Sequence, residues 1–381
     1  MDSSKPYGPS LRVLLLGESP YFGGITSHLV ALAEGLREQG GITPVLACLS
    51  GRGPDRTLFD LAAARNMDVL EVSMRGRFDV SVMNRLCALA KDQSIGLVHT
   101  HNYRATLLAA AALRHLPLVV SCHGVAGPSV PLPVRMWQAL ELRCMRRARA
   151  VIACSEQVRR DLPAHGIPAT KLSVVRNGVP GPNPAAISPP TGALRKSLGI
   201  PGGGPVVLFA GRMVEGKGLD LLLEACAQRR EWTCVAVGDG PARPELEAMA
   251  RRRGLEVFFA GMQADMTPWL SAADVVALPS RSEAYPMVLL EAAAHGRPVI
   301  ATDVGGVSEI VENHKSGVLV PDPAGSDTVA DLTAALDLLG DAQLRAEMGQ
   351  YARTRWQAEF TPAQMARSTA EIYRAALKSP F

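Results

Sequence analysis

Residues 11–36 read LRVLLLGESPYFGGITSHLVALAEGL. Leu11 to Leu16 form a short apolar run without alternation, the pattern of a strand covered on both faces. Gly17 predicts a turn. Gly23 and Gly24 follow, and then Leu29, Leu32, Ala33 and Leu36 recur at helical spacing. Strand, glycine turn and helix are the opening of a Rossmann-type unit. Working outward, strands are expected at Pro44–Leu49, Asp68–Val72, Ile95–His99, Leu118–Ser121, Ala150–Ala153 and Leu172–Val175, with helical segments between most of them. This alternation predicts a parallel sheet covered on both sides.

The texture then changes. Residues 179–205, VPGPNPAAISPPTGALRKSLGIPGGGP, are dense in Pro and Gly and predict a junction. A second series is expected at Val206–Ala210, Thr233–Val237, Val257–Ala260, Val275–Leu278, Pro298–Ala301 and Gly317–Val320, and the pattern beyond about residue 327 is helical. The chain of 381 residues is long enough for two cores. We therefore expect a first domain over 1–182, a linker over 183–204, a second domain over 205–360 and a terminal helix over 361–381.

The seven cysteines form no Cys-x-x-Cys pair and most lie in apolar runs, which predicts free buried thiols. The polar start MDSSKPYGPS predicts no signal peptide, and no uninterrupted apolar run reaches the ~18 residues of a spanning helix. A cytoplasmic protein is expected. Residues 1–180 hold 21 Lys/Arg against 13 Asp/Glu (+8), and residues 181–381 hold 19 against 23 (−4). The first half is thus the better candidate for meeting something anionic. It lacks the aromatic spacing of a nucleic-acid stacking platform, so no nucleic-acid partner is expected.

The most informative segment is SRSEAYPMVLLEAAAHGRPVIATDVGGVSEIVENHKSGVLVPD, residues 280–322. A loop after a strand carries Glu283, Pro286 is expected as the first helical residue, and Gly296 ends that helix. Backbone N–H groups near Met287 and Val288 would be free donors at a helix N-terminus, which favours a phosphate. Glu283 and Glu291 stand seven residues apart, suited to acid/base work, ion binding or hydroxyl recognition; as an isolated pair they would read as a loop carboxylate and a helix-surface residue. In AGRMVEGKGLDLLLEA, residues 210–225, Arg212 and Lys217 occupy a glycine-bearing loop between strand and helix. Two such cations suit a diphosphate and, as loop residues, should be dispensable for folding. VGDGP at 237–241 adds a tight turn. GGITSHL at 23–29, HTHN at 99–102 and SCHG at 121–124 place His99, His101 and His123 at or just past strand ends. No metal-ligand spacing supports a metal there, and the chain holds no Asp-x-Asp.

The ordered set GGITSHL, HTHN, SCHG, NGV at 177–179, GRMVEGKG, VGDGP, Glu283-x7-Glu291 and TDVGGVSEIV resembles glycosyltransferase family 4 over nearly the whole chain. The resemblance implies an α/β protein of GT-B type: two facing Rossmann-like domains with a cleft between them and a C-terminal helix, here 361–378, crossing back. It implies a retaining, metal-independent hexosyltransferase using a UDP- or GDP-sugar, with no further cofactor. The acceptor would be a glycan or lipid-linked glycan in polysaccharide or glycoconjugate synthesis. Arg212 and Lys217 would hold the diphosphate, and Glu291 the ribose. Glu283 and His123 would meet the sugar, Gly24 would lie over the phosphates, and the backbone of Met262 would meet the base. Many family members have glycine after the first Glu; Ala284 stands here, which bears on the contacts to the sugar hydroxyls. Domain closure would exclude water, the competing acceptor. The rival readings are a nucleotide-sugar 2-epimerase of similar fold, which should carry more carboxylates facing the sugar, and a non-catalytic partner protein keeping the fold.

Residues 134–149, VRMWQALELRCMRRAR, read as one amphipathic helix. Met136, Trp137, Leu140 and Cys144 share a flank, and Arg135, Arg143, Arg146, Arg147 and Arg149 supply charge. Such a helix suits peripheral contact with an anionic membrane. The competing expectation is that this flank packs on the first sheet.

Overall fold

The computed structural model describes residues 10–18, 24–51, 56–76, 79–125, 132–182, 191–201, 203–325 and 327–378. Gly23 and residues 183–190 of the Pro/Gly-rich junction lie outside the described residues. The chain divides into two compact units, residues 1–179 with 360–381 and residues 180–359.

The first unit runs β1 (Leu11–Glu18), α1 (Gly24–Gln39), β2 (Ile42–Ser50), α2 (Thr57–Ala63), β3 (Val69–Ser73), α3 (Ser81–Asp92), β4 (Leu97–Thr100), α4 (Tyr103–Ala112), β5 (Leu118–Cys122), α5 (Leu132–Met145), β6 (Ala150–Ala153), α6 (Glu156–Asp161) and β7 (Leu172–Val174). Its sheet has the order β3-β2-β1-β4-β5-β6-β7, and all pairs are parallel. The apolar run of β1 serves two cores at once. Val13 and Leu15 pack with α1 on one face, and Leu14 and Leu16 pack with α3 and α4 on the other. Burial on both faces leaves no position for alternating polar residues. Gly17 is not a turn: it pairs with Cys48 inside the strand. The Leu29 side chain lies across it, where a Cβ would stand 2.4 Å away, so the glycine makes room for α1 rather than ending the strand.

The second unit runs α7 (Thr191–Ser197), β8 (Val206–Ala210), α8 (Leu219–Gln228), β9 (Thr233–Val237), α9 (Arg243–Arg252), β10 (Val257–Gly261), α10 (Thr267–Ala272), β11 (Val275–Leu278), α11 (Met287–Ala294), β12 (Val299–Thr302), α12 (Val307–Ile310), β13 (Gly317–Val320), α13 (Thr328–Leu338) and α14 (Ala342–Glu359). Its parallel sheet has the order β10-β9-β8-β11-β12-β13. All seven cysteines are free, five of them buried.

The last helix, α15 (Pro362–Lys378), belongs to the first unit and lies on α1. Met365, Ala366, Ala370, Tyr373 and Ala376 enter the core beneath β1. The Tyr373 hydroxyl lies 2.6 Å from Nδ1 of His99 in β4, and Nε2 of the same ring lies 2.8 Å from Ser121 Oγ in β5. Buried polar atoms on three elements thus satisfy one another. Tyr373→Phe keeps the ring but leaves His99 Nδ1 unpaired, and is expected to cost about 1–3 kcal/mol. Urea unfolding against wild type measures it; an unchanged midpoint would show that the bond contributes nothing.

The helix of residues 134–149 differs from expectation. α5 ends at Met145, and Arg146, Arg147 and Arg149 lie in the turns beyond it. Arg146 is held there by bonds of 3.2 and 2.8 Å to the His165 carbonyl. The buried face of α5 is Glu141, Leu142 and Met145, whereas Met136 (62%), Leu140 (47%), Val134 (42%) and Trp137 (37%) are exposed. The flank therefore does not pack on the sheet. No helix among the described residues is long and apolar enough to cross a membrane.

Candidate functional site

Open parallel sheets bind ligands beyond the strand C-termini, at the point where the strand order reverses. In the second unit that point lies between β8 and β11. The loop after β8 carries Arg212 and Lys217, and the loop after β11 carries Glu283 and leads into α11.

These loops touch through their backbones. Gly218 has φ 68°, and a Cβ on it would stand 1.9 Å from the Pro279 carbonyl oxygen. Arg281 N–H donates to the Gly216 carbonyl at 2.8 Å. The Arg281 guanidinium then clamps Asp220 through two bonds of 3.0 and 2.6 Å and reaches the Glu215 carbonyl at 2.6 Å. Arg281 and Asp220 fix the loop on which Lys217 stands, and sequence reasoning gave neither a role. The 61-residue separation hides the pair, although a charged Arg two residues before Glu283 is a usable signal. The VGDGP turn also braces this site: Met213 N–H donates to the Asp239 carbonyl at 2.9 Å.

Lys217 and Glu283 are brought together. Lys217 Nζ donates to Glu283 Oε1 at 2.6 Å, and Ser280 Oγ donates to the same oxygen at 2.7 Å. The Glu283 side chain is only 7% exposed. This corrects the expectation that Lys217 is dispensable for folding, since its loss would strand a buried carboxylate. Arg212 fits that expectation: it is exposed, and its guanidinium has no partner among the described residues. Gly305 of TDVGG, at φ 58°, lies against Glu283, where a Cβ would meet its carbonyl oxygen at 1.7 Å.

Pro286 is the N-cap of α11 rather than its first helical residue, and no side chain caps the helix. The first N–H groups, from Met287 and Val288, are thereby left for another acceptor. Glu291, one turn further on, is not a surface residue. It is half-buried, its carboxylate has no partner among the described residues, and burial pushes its pKa up to about 7. Met262, just past β10, is 59% exposed.

In the first unit the reversal lies between β1 and β4. His99 ends inside β4, His101 follows it, and His123 follows β5. The structure adds His28 of α1, a residue of GGITSHL to which the sequence reading gave no role. The ring centroids of His28 and His123 are 4.8 Å apart, those of His28 and His101 5.2 Å, and those of His99 and His101 4.1 Å. Burial holds all four below the ordinary histidine range, helped by repulsion from neighbouring rings at His28, His99 and His101, with His99 near 3 and His123 near 4. They are neutral imidazoles at physiological pH. Gly24 opens α1.

Residues 22–180 match Glycosyltransferase Family 4, and residues 204–341 match Glycosyl transferases group 1. The chain is 33% identical over 307 residues to a D-inositol 3-phosphate glycosyltransferase of Jonesia denitrificans, covering 73% of this chain and 71% of the relative. The chain belongs to glycosyltransferase family 4. It is 38% identical over 178 residues, 45% of each chain, to an alpha-D-kanosaminyltransferase of Streptomyces kanamyceticus. Its fold is that of HepE from Anabaena, solved in complex with UDP-glucose, with a TM-score of 0.81 and 24% identity over 96% of this chain and 100% of that one. The GT-B architecture and the glycosyltransferase class follow. The curated relatives, named as transferases, do not favour the epimerase or non-catalytic readings.

The Glu291 carboxyl carries a prediction of its own. Its folded pKa is raised, so the stability it contributes is full below the unfolded value of ~4.3 and is lost as pH rises through about 7. Glu291→Gln removes this loss, and should stabilise the ligand-free protein at pH 8 relative to wild type by up to about 3 kcal/mol. Thermal unfolding at pH 5 and pH 8 checks it. Glu141 is raised to about 7 as well and titrates alike in both proteins, so the difference between them isolates Glu291. A variant with the pH slope of wild type would show that the carboxyl is solvated.

Proposed function

We propose that this glycosyltransferase moves a hexose-type sugar from a UDP- or GDP-sugar to a glycan or lipid-linked acceptor, with retention and without a divalent metal. One observation carries the reading. Arg212, Lys217 and the uncapped N-terminus of α11 stand around the β8/β11 crevice, where a diphosphate would sit. Leaving-group departure builds negative charge on the diphosphate, and fixed cations and N–H groups stabilise it without reorganising. In the ligand-free protein Lys217 is neutralised by Glu283, and an arriving phosphate competes for it. Glu283 is then left beside the sugar, to which we also assign His123. Glu291 is the ribose residue, and the base is assigned to the backbone near Met262. The UDP-glucose held by HepE and the D-inositol 3-phosphate in the Jonesia relative's name support a nucleotide-sugar donor and a polyol or sugar acceptor.

Arg212→Ala should lower kcat/KM by ~2–4 kcal/mol of transition-state stabilisation. Its melting temperature should match wild type. Near-normal turnover at saturating donor would remove Arg212 from the diphosphate. Glu291→Ala should weaken nucleotide binding, while Glu283→Ala should reduce turnover with nucleotide affinity kept. Calorimetry with UDP and GDP, together with product release, separates the two roles, and the reverse division would exchange them. Transfer should persist in EDTA, because protein groups supply the positive charge; loss restored by Mg²⁺ or Mn²⁺ would overturn that.

The exposed flank of α5 supports an acceptor met at an anionic membrane surface. Trp137 stacks near Tyr103, with centroids 6.2 Å apart, and Arg135 and Arg143 of the same helix are exposed. Each near-surface cation is worth ~1 kcal/mol against anionic lipid. Co-sedimentation with phosphatidylserine vesicles should weaken with salt and fall for Trp137→Ser and for Arg135→Gln/Arg143→Gln. A wild type that ignores such vesicles at low salt meets its acceptor elsewhere.

A further inference from the structure

His28, His101 and His123 approach one another from three separate elements: α1, the turn after β4 and the turn after β5. One ring nitrogen of each lies within 4.8 Å of the other two. Both nitrogens of His101 and Nε2 of His123 are covered from solvent and have no hydrogen-bond partner among the described residues, and those of His28 are covered too, with only the Asn177 side chain near them. A buried polar atom left unpaired costs ~1–3 kcal/mol, and here several converge. His99 is different, because Tyr373 and Ser121 engage both of its nitrogens. Asn177, its Oδ1 covered from solvent and its side chain approaching His28, borders the small cavity that His28, His99 and His123 line.

We propose that His28, His101 and His123 form a binding site for one borderline first-row divalent cation, Zn²⁺ being the type. Imidazole selects Zn²⁺, Ni²⁺ or Cu²⁺ and is a poor ligand for Mg²⁺ or Ca²⁺. Around a tetrahedral zinc at ~2.0–2.1 Å, ligand nitrogens stand about 3.4 Å apart, so the nitrogen separations shorten by up to about 1.4 Å on binding. Three histidines leave the fourth position to water or a sugar hydroxyl. A metal-bound imidazole donates its other N–H to an acceptor, and Asn177 Oδ1 is placed to take that of His28. His123 is only half-buried and gives the ion its way in. An ion so held draws His123 away from the sugar that we assign to it, so Zn²⁺ would inhibit transfer rather than assist it. The site lies within the first unit and does not rest on the proposed transfer chemistry, because binding is read on the protein alone.

Chelator-dialysed protein titrated with Co²⁺ should develop the visible bands of a tetrahedral nitrogen site at one ion per chain, and Zn²⁺ but not Mg²⁺ should displace it. His28→Gln and His101→Gln should each abolish the bands. Asn177→Ala should weaken binding about 10- to 100-fold, as loss of an outer-shell partner does. His115→Gln, at an exposed histidine, should bind as wild type does. Absence of Co²⁺ and Zn²⁺ binding by wild type overturns the proposal, as do bands that survive in His28→Gln and His101→Gln. Zinc-edge anomalous scattering from Zn²⁺-soaked wild-type crystals decides independently of how the variants fold: a peak among the three rings supports the site, and peaks only elsewhere refute it.

Discussion

The second unit depends on one close backbone approach. The loop after β8 and the loop after β11 meet where Gly218 faces the Pro279 carbonyl, a gap that no Cβ can enter. That contact sets Lys217 within reach of Glu283, and the Arg281–Asp220 clamp keeps it there. The TDVGG loop then closes against the Glu283 backbone at Gly305. Site geometry therefore comes from main chain packed on main chain, with side chains added to a frame that is already stiff.

Much of the architecture was legible because strands buried on both faces carry an unmistakable apolar signal. Ala150–Ala153, Val206–Ala210, Thr233–Val237, Val275–Leu278 and Gly317–Val320 stand where the residues put them. Errors arose where a distant partner decides the local conformation. Gly17 looks like a turn until Leu29 is seen lying over it. The helix of residues 134–149 stops at Met145, and the Arg146 side chain beyond it is committed to the distant His165 carbonyl. Within the candidate site, Arg212, Lys217 and Glu283 were visible as residue types, but the pairing of two of them was not. His28 was hidden because a lone histidine in a helix carries no sign of the two rings it meets.

The two units use opposite electrostatics. The second presents fixed charge: a guanidinium without a partner among the described residues, an ammonium held in reserve by a carboxylate, and a helix end with no side-chain cap. The first clusters imidazoles whose burial keeps them neutral. The former suits an anion, while the latter offers lone pairs and N–H groups without repelling either sign. Glu291, raised to about 7, stands between these cases as an acid whose charge depends on what covers it.

The placement of α15 bears on how the chain is made. Residues 1–179 leave the ribosome before residues 180–359, yet their core lacks Met365, Ala370, Tyr373 and Ala376 until α15 has been made. Residues 180–359 hold all of their own sheet and emerge before that final helix. Domains of multidomain chains generally fold in the order of their emergence. Here the later-made unit can be completed on the ribosome, while the earlier one waits with the face beneath α1 uncovered. The nascent N-terminal half is therefore the stage at which chaperone capture and aggregation compete.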